Sequence, residues 1–162
     1  MDMNKQITIK DYIETILKTS DFAVLATEGN GRPHVSLIAI TPLGNCRELV
    51  FATYRNTLKF QNLESNSKVA VLIESGVLNE KDLVKRTVLN ITGHAEEISM
   101  TKNVPVYQAH LKRHPELESF MNSSDCALIM VIAQSYQIVK GIDDIKWITA
   151  DELDPPPDHD PF

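Results

Sequence analysis

The sequence has 162 residues, 43% of them hydrophobic, which predicts one globular domain with a complete core. The formal net charge is −6, and seven acidic residues follow position 142, so the rest of the chain is neutral and has no basic stripe. General nucleic-acid binding is therefore excluded. The N-terminus lacks the apolar segment of a signal peptide, and the longest apolar run, Ala127–Ala133, is too short to cross a bilayer. We expect a cytoplasmic protein with no membrane partner, in which the two distant cysteines, Cys46 and Cys126, are reduced.

The N-terminal third of the chain predicts a helix followed by a β-hairpin. Thr8 is a candidate N-cap, and Asp11 stands three residues later, where a capping box requires an acceptor. The apolar residues that follow recur at helical spacing as far as position 20. Two strands, Phe22–Glu28 and Pro33–Thr41, flank a Gly-Asn-Gly turn at 29–31.

The stretch from position 47 to 75 predicts a strand, a short helix and a second strand. Leu49–Ala52 is an apolar strand, and Asn56 or Thr57 can cap the helix that follows it. Asn66 suits a left-handed turn at the end of this helix. Val69–Ile73 then alternates as the second strand.

The connection into this helix is the first candidate site. A helix N-terminus presents unpaired N–H groups and a partial positive charge, which together attract anions. The hydroxyls of Thr53 and Thr57 and the ammonium of Lys59 could complete a phosphate seat. The alternative is an ordinary capped helix with a solvated lysine. No P-loop or Gly-rich dinucleotide motif occurs, so a standard nucleotide fold is not indicated.

The second half of the chain predicts two more strands around a helical segment. Arg86–Ser99 is a strand in which Gly93 marks a bulge or a close approach. Positions 101–122 are helical, with a break at a proline, and Ala127–Lys140 is the longest strand. We expect a single domain over residues 1–150 and an acidic, proline-rich tail over 151–162, disordered from position 154. About six strands joined by short turns predict an antiparallel sheet closed as a small barrel.

Four segments, in this order and spacing, carry a family resemblance: VLATEGNGRPHVSLIAI (24–40), ELVFATYRNTLKFQNLESNSKVAVLI (48–73), NITGHAEEI (90–98) and ALIMVIAQSYQIV (127–139). They resemble the FMN-binding split-barrel proteins of the pyridoxamine 5′-phosphate oxidase-like superfamily. The resemblance implies a mainly β fold, a six-stranded antiparallel split β-barrel with inserted helices. It also implies an FMN cofactor held at the interface of a homodimer.

The resemblance also implies roles for individual residues. The strand around Ser36, Leu37 and Ile38 would lie against the flavin, and Thr53, Thr57 and Lys59 would bind flavin and phosphate. The full set of cofactor-binding candidates is Ser36, Leu37, Ile38, Thr53, Tyr54, Arg55, Thr57, Lys59, Arg86 and Trp147. The alternative for Arg55 and Arg86 is a surface ion pair, and the alternative for Trp147 is packing in the barrel or at the dimer interface. Arg86 or Trp147 would come from the other chain of the dimer.

Departures from the family pattern argue against pyridoxamine phosphate oxidase activity itself. The oxidase usually has Arg where Ser36 stands and Arg-Lys where Leu58 and Lys59 stand. Its glutamine near Val88 and its C-terminal Arg-Leu-x-Pro element have no match here. We therefore predict an FMN-dependent oxidoreductase with a small-molecule redox partner of unknown identity and no assignable catalytic residue. The alternatives are a non-enzymatic flavin- or haem-binding storage or sensing protein, and a deazaflavin-dependent reductase.

Three further expectations concern the surface. The apolar residues of Ala127–Ala133 suggest burial on both faces of that strand, so a second protomer is expected to cover its outer face. His110 and His114 have a spacing that can bind a metal, but without a third ligand we predict solvated or capping histidines and no metal site. His34 is either a flavin or substrate contact or an exposed edge residue.

Overall fold

The computed structural model describes residues 7–75 and 86–155. The first helix, α1 (Ile9–Thr19), begins where the capping box predicts. The Thr8 hydroxyl accepts a hydrogen bond from the Asp11 amide at 3.1 Å, and the Asp11 carboxylate accepts one from the Thr8 amide at 2.8 Å. These two bonds satisfy N–H groups that have no partner inside the helix. The buried side of α1 consists of Ile13, Ile16 and Leu17.

The described residues form a mainly β fold, which confirms the prediction. The strands are β1 (Phe22–Gly29), β2 (Arg32–Ala39), β3 (Thr41–Pro42), β4 (Glu48–Tyr54), β5 (Lys68–Ser75), β6 (Thr87–Ile98), β7 (Cys126–Lys140) and β8 (Asp144–Thr149). The other helices are α2 (Leu58–Ser65), α3 (Val104–Arg113), α4 (Glu118–Met121) and α5 (Ala150–Leu153), with a 3₁₀ turn at Pro115–Leu117. No helix in this part of the chain combines the length and apolarity needed to cross a membrane.

One antiparallel sheet contains all of these strands, in the order β2-β1-β5-β6-β7-β4-β3, with β8 paired to β7. The two ends of this order, β2 and β3, are separated in the chain by Ile40 alone. The sheet must therefore curl until its edges meet at Ile40, whose side chain is fully buried. The result is the predicted split barrel, built in the described residues from eight strands and not six, and in it β2 also contacts β4 and α2.

β7 is the strand that pairs with three others, β6, β4 and β8. It pairs with β6 along its whole length, and its other edge pairs first with β4 and then with β8. The register with β6 shifts between Thr92 and Gly93, where β7 advances from Ala133 to Ser135. The expected irregularity at Gly93 is confirmed.

A second hydrophobic cluster lies on the outside of β4 and β7. Val50 and Leu128 project from these strands and pack with Met121 of α4 and with half-buried residues of α3. The chain's own helices thus cover the outer face of this part of β7. The prediction that a second protomer covers Ala127–Ala133 is wrong, because apolar periodicity cannot distinguish a covering helix from a covering subunit.

Three local features differ from or extend the predictions. Asn66 caps α2 in an extended conformation, with φ −146°, so the expected left-handed turn is wrong. β8 and α5 were not predicted, and Leu153 of α5 is buried against the main core. Both cysteines are free, as expected, and both are buried. Of the predicted tail, residues 156–162 lie outside the described part of the chain.

Candidate functional site

The hydroxyls of Thr53 and Thr57 meet where β4 leads into α2. Thr57 is the N-cap of α2, and its hydroxyl accepts from the Phe60 amide at 3.4 Å. The same hydroxyl donates to the Tyr54 carbonyl at 2.8 Å and lies 3.1 Å from the Thr53 hydroxyl. The cap leaves the first amides of α2, those of Leu58 and Lys59, without partners inside the helix. This junction therefore combines hydroxyls and free N–H groups.

Lys59 lies in the first turn of α2 and is half-buried. Leu63 follows four residues later and packs against the main core, and residues at this spacing share a helix face. Lys59 is thus on the side of α2 that faces the barrel. Burial lowers the pKa of its ammonium, and within residues 7–75 and 86–155 it has no ion pair or hydrogen bond. A half-buried cation without a counter-ion among these residues is available to pair with a bound anion.

The candidate flavin strand is β2, an edge of the sheet. Ile38 is buried, Leu37 is 70% exposed, and Ser36 lies on the same face as Ile38. The Ser36 hydroxyl oxygen is buried and has no hydrogen-bond partner. A buried hydroxyl without a partner is unfavourable. Because β2 contacts β4 and α2, the structure brings this strand and the Thr53–Lys59 segment onto neighbouring elements.

Two other candidates in the same region have structural partners. Tyr54 packs against Phe120 with the two rings tilted by 42° and their centroids 4.2 Å apart. Arg55 donates to the Cys126 carbonyl at 2.9 Å and forms an ion pair with Glu97. In this chain Arg55 fastens the end of β4 to the start of β7.

Arg86 and Trp147 lie away from this cluster. Arg86 immediately precedes β6 and pairs with Glu74, whereas Glu97, the partner of Arg55, is at the opposite end of the same strand. Trp147 is on β8 and 64% exposed. A single chain therefore does not bring these two residues to the Thr53–Lys59 segment.

The outer sheet face, defined by Val35, Leu37, Leu72 and Trp147, is apolar and solvent-exposed, with 43–70% of each residue accessible. Cross-strand pairing aligns Leu37 with Val24, and Val24 with Leu72. The same row continues across the sheet through two polar residues, Asn90 and Gln137, to Trp147. Helices α3 and α4 cover the other part of the sheet, so this face has no cover within the described residues.

A groove of about 550 Å³ opens between the β1–β2 hairpin and α2. Its lining consists of Gly29, Asn30, Arg32, Pro33, His34, Leu58 and Asn62. His34 therefore faces this groove. Arg32, Gly29 and Asn62 were not predicted as site residues, because the groove forms between segments about 30 positions apart that show no common motif.

His110 of α3 and His114, the residue that caps its C-terminus, make hydrogen bonds that stabilise the fold. His110 is fully buried and bonds to the Thr41 hydroxyl through Nδ1 at 2.8 Å, while its Nε2 has no partner. His114 is the C-cap of α3 and bonds through Nε2 to the Ile40 carbonyl at 2.8 Å. The expectation of capping is met by His114, whereas the expectation of solvated rings is wrong. The described residues contain no cluster of three or more metal-binding side chains.

Comparisons with known proteins agree with this architecture. The family profile described as pyridoxamine 5′-phosphate oxidase matches residues 9–131. No curated protein matches the sequence. A haem-binding protein from Mycobacterium smegmatis superposes with a TM-score of 0.82 at 18% identity, over 93% of this chain and 61% of its own.

Two further solved structures share the fold. A haem storage protein from Vibrio cholerae has a TM-score of 0.65 at 18% identity, over 77% of this chain and 89% of its own. General Stress Protein 26 from Bacillus anthracis has a TM-score of 0.63 at 22% identity, over 87% of this chain and 98% of its own. At these identities the likeness shows the fold alone. The chain spans 61% of the length of the mycobacterial protein.

Proposed function

The chain belongs to the pyridoxamine 5′-phosphate oxidase family, and from this premise we propose that it is an FMN-binding flavoprotein that acts in oxidoreduction. The observation that carries the proposal is Lys59, a half-buried cation with no counter-ion among the described residues. A phosphate group would supply the missing negative charge. The free amides at the start of α2 and the hydroxyls of Thr53 and Thr57 would supply further contacts.

The flavin ring fits the strand that faces this junction. β2 is an edge strand, so half of its backbone N–H and C=O groups point away from β1 and are available to a ligand. The buried Ser36 hydroxyl, which has no partner in the chain, is a further available group. Bound FMN supplies hydride or electron transfer. Lys59, Thr53 and Thr57 would hold its phosphate, and the free edge of β2 would orient its ring.

We also propose that the active form is a homodimer that uses the outer sheet face. Leu37 belongs both to this face and to the flavin strand, so a second copy seated there would lie beside the cofactor. In such a dimer Trp147 or Arg86 of one chain could reach the site of the other. This arrangement would explain why one chain does not bring them to Lys59.

The deciding experiment separates the phosphate from the rest of the cofactor. Lys59→Ala should weaken FMN binding roughly 10- to 150-fold, the effect of losing a charge-assisted hydrogen bond. Riboflavin, which has no phosphate, should bind as it does to the wild-type chain. Titration calorimetry with both ligands measures the ratio. The matched control is Lys68→Ala, which removes an exposed lysine near the other end of α2. Equal weakening of FMN and riboflavin would refute the phosphate assignment.

Haem storage is a second candidate function, because two of the similar structures are named as haem proteins. Two of the four described histidines, His110 and His114, are buried and bonded within the fold. Of the other two, His34 is the one that faces the groove beside α2. Mass spectrometry of the small molecule released from the denatured, purified protein distinguishes FMN, a deazaflavin and haem directly. Recovery of haem alone would replace the flavin proposal.

A further inference from the structure

A buried polar contact fixes α2 on the hairpin below it. Asn62 is 6% exposed, although Asn is a residue that favours the surface. Its Nδ2 donates to the Thr27 hydroxyl at 3.1 Å, and Thr27 is itself 3% exposed. One turn later, Asn66 Nδ2 donates to Glu28 Oε2 at 2.6 Å. Two consecutive residues of β1 therefore accept hydrogen bonds from the same helix.

Gly29 completes this contact by leaving space for Asn62. A Cβ atom at Gly29 would stand 2.1 Å from Asn62 Oδ1 and 2.9 Å from its Cγ. The backbone of Gly29 does not require glycine, since the positive φ angles among the described glycines are at Gly31 and Gly141. Glycine is thus required at position 29 for space, and the Asn62 amide occupies the position of a side chain there.

The hydrogen bond from Asn62 to Thr27 fixes the orientation of α2, which an apolar contact would not do. A hydrogen bond between two buried groups sets both the rotation of α2 and its height above β1, because it weakens steeply with misalignment. Lys59 precedes Asn62 by three residues, which puts the two side chains side by side on the helix surface. A shift of α2 therefore moves the Lys59 ammonium by a similar distance.

We infer that Asn62, seated against Gly29, is a positioning residue that holds Lys59 at the phosphate-binding point. The inference rests on the proposed function, since it assigns a ligand to Lys59. Asn62 contacts no cofactor in this account, and its effect on binding passes through the location of α2. A displacement of about 1 Å weakens the hydrogen bond between the ammonium and the phosphate, because such bonds depend steeply on distance and alignment.

The test compares three variants: Asn62→Ala, Gly29→Ala and the double variant. The readout is the ratio of FMN to riboflavin affinity, with the melting temperature measured alongside. Gly29→Ala should lower the ratio about tenfold or more, because the new methyl group forces the amide and α2 apart. Asn62→Ala should lower it several-fold. The double variant should do no worse than Asn62→Ala, since the methyl group then fits where the amide was. Gln61→Ala, on the exposed side of the same helix, is the control.

A merely structural role predicts a different pattern. All variants would then lose melting temperature while the affinity ratio stayed at its wild-type value, and that result would overturn the inference. If Gly29→Ala does not fold, Asn62→Ala against Gln61→Ala decides in the same way.

If the wild-type chain does not prefer FMN to riboflavin, the proposed function has failed. The positioning of α2 is then read from amide hydrogen exchange. Exchange in α2 should be at least about tenfold faster in Asn62→Ala than in Gln61→Ala, and equal exchange would overturn the positioning claim.

Discussion

His110 should make the stability of this protein depend on pH, and the structure sets the size of the effect. Its ring is fully buried, with Arg113 and His114 as the nearest charged or titratable groups. Burial, with smaller contributions from His114 and Arg113, lowers the pKa of His110 from 6.5 to about 4. The favourable neutral form carries its proton on Nδ1 and donates it to the Thr41 hydroxyl. Its Nε2 carries no proton, because no acceptor lies within hydrogen-bond distance of that nitrogen. Protonation would create a buried, unpaired N–H.

The sign follows from comparing the two states. The unfolded chain binds a proton near pH 6.5 and the folded chain only near pH 4, so stability falls as the pH is lowered through this window. The loss in the free energy of unfolding levels off below the folded-state pKa of about 4 and there amounts to about 3 kcal/mol. At pH 5 it amounts to about 2 kcal/mol. For a chain of this length, that corresponds to a fall in melting temperature of roughly 4–8 °C.

Urea unfolding at pH 8 and pH 5 measures this loss. His110→Asn keeps a donor near the position of Nδ1 but cannot be protonated, so it should be less stable at pH 8 yet lack most of the pH dependence. His34→Asn, a change in a partly exposed histidine, should keep the wild-type dependence. If His110→Asn loses as much stability between pH 8 and pH 5 as the wild type does, another group is responsible.

Two further predictions concern the dimer and the C-terminus. Leu72→Arg should shift sedimentation from dimer to monomer, because it puts a charge in the outer sheet face. Val104→Arg, at a similarly exposed site on α3, should leave the dimer intact. A monomeric wild type, or dissociation of both variants, would refute the assigned interface. Truncation after Leu153 should leave the melting temperature within a few degrees, since among the described residues it removes a surface ion pair and the single hydrogen bond from the Asp154 amide to the Ala150 carbonyl. Truncation after Thr149 also removes buried apolar residues of α5 and should lower it by roughly 5–10 °C; equal effects would show that the residues after Leu153 contribute as much as α5.

The sequence predicted those features that depend on contacts between residues close together in the chain. The capping box of α1, the cap at Thr57 and the hairpin turn at 29–31 each depend on residues within a few positions of one another. They could be identified because such contacts form whatever the rest of the fold does. The strands and turns together predicted an antiparallel sheet closed as a small barrel, and the family resemblance of four segments implied the split barrel.

Features that depend on distant contacts could not be predicted in the same way. β8 alternates polar and apolar residues from Asp144 to Trp147, but it is six residues long and exposed over nearly its whole length, so the alternation is too short to reveal it. His110 becomes a buried group only through Thr41, which lies 69 positions earlier. The fit of Asn62 against Gly29 likewise joins two segments that are independent in the sequence.

The corner at Ile40 has a consequence for the order of folding. The β1–β2 hairpin can form as soon as it is synthesised, because its partners are close in the chain. β4, by contrast, pairs with β7, and the nearest pair, Tyr54 with Cys126, spans 72 positions. Closing so long a loop carries an entropic cost that slows folding. The barrel therefore closes late, and a ribosome-bound chain that ends before β7 would lack the strand that joins β4 to β6.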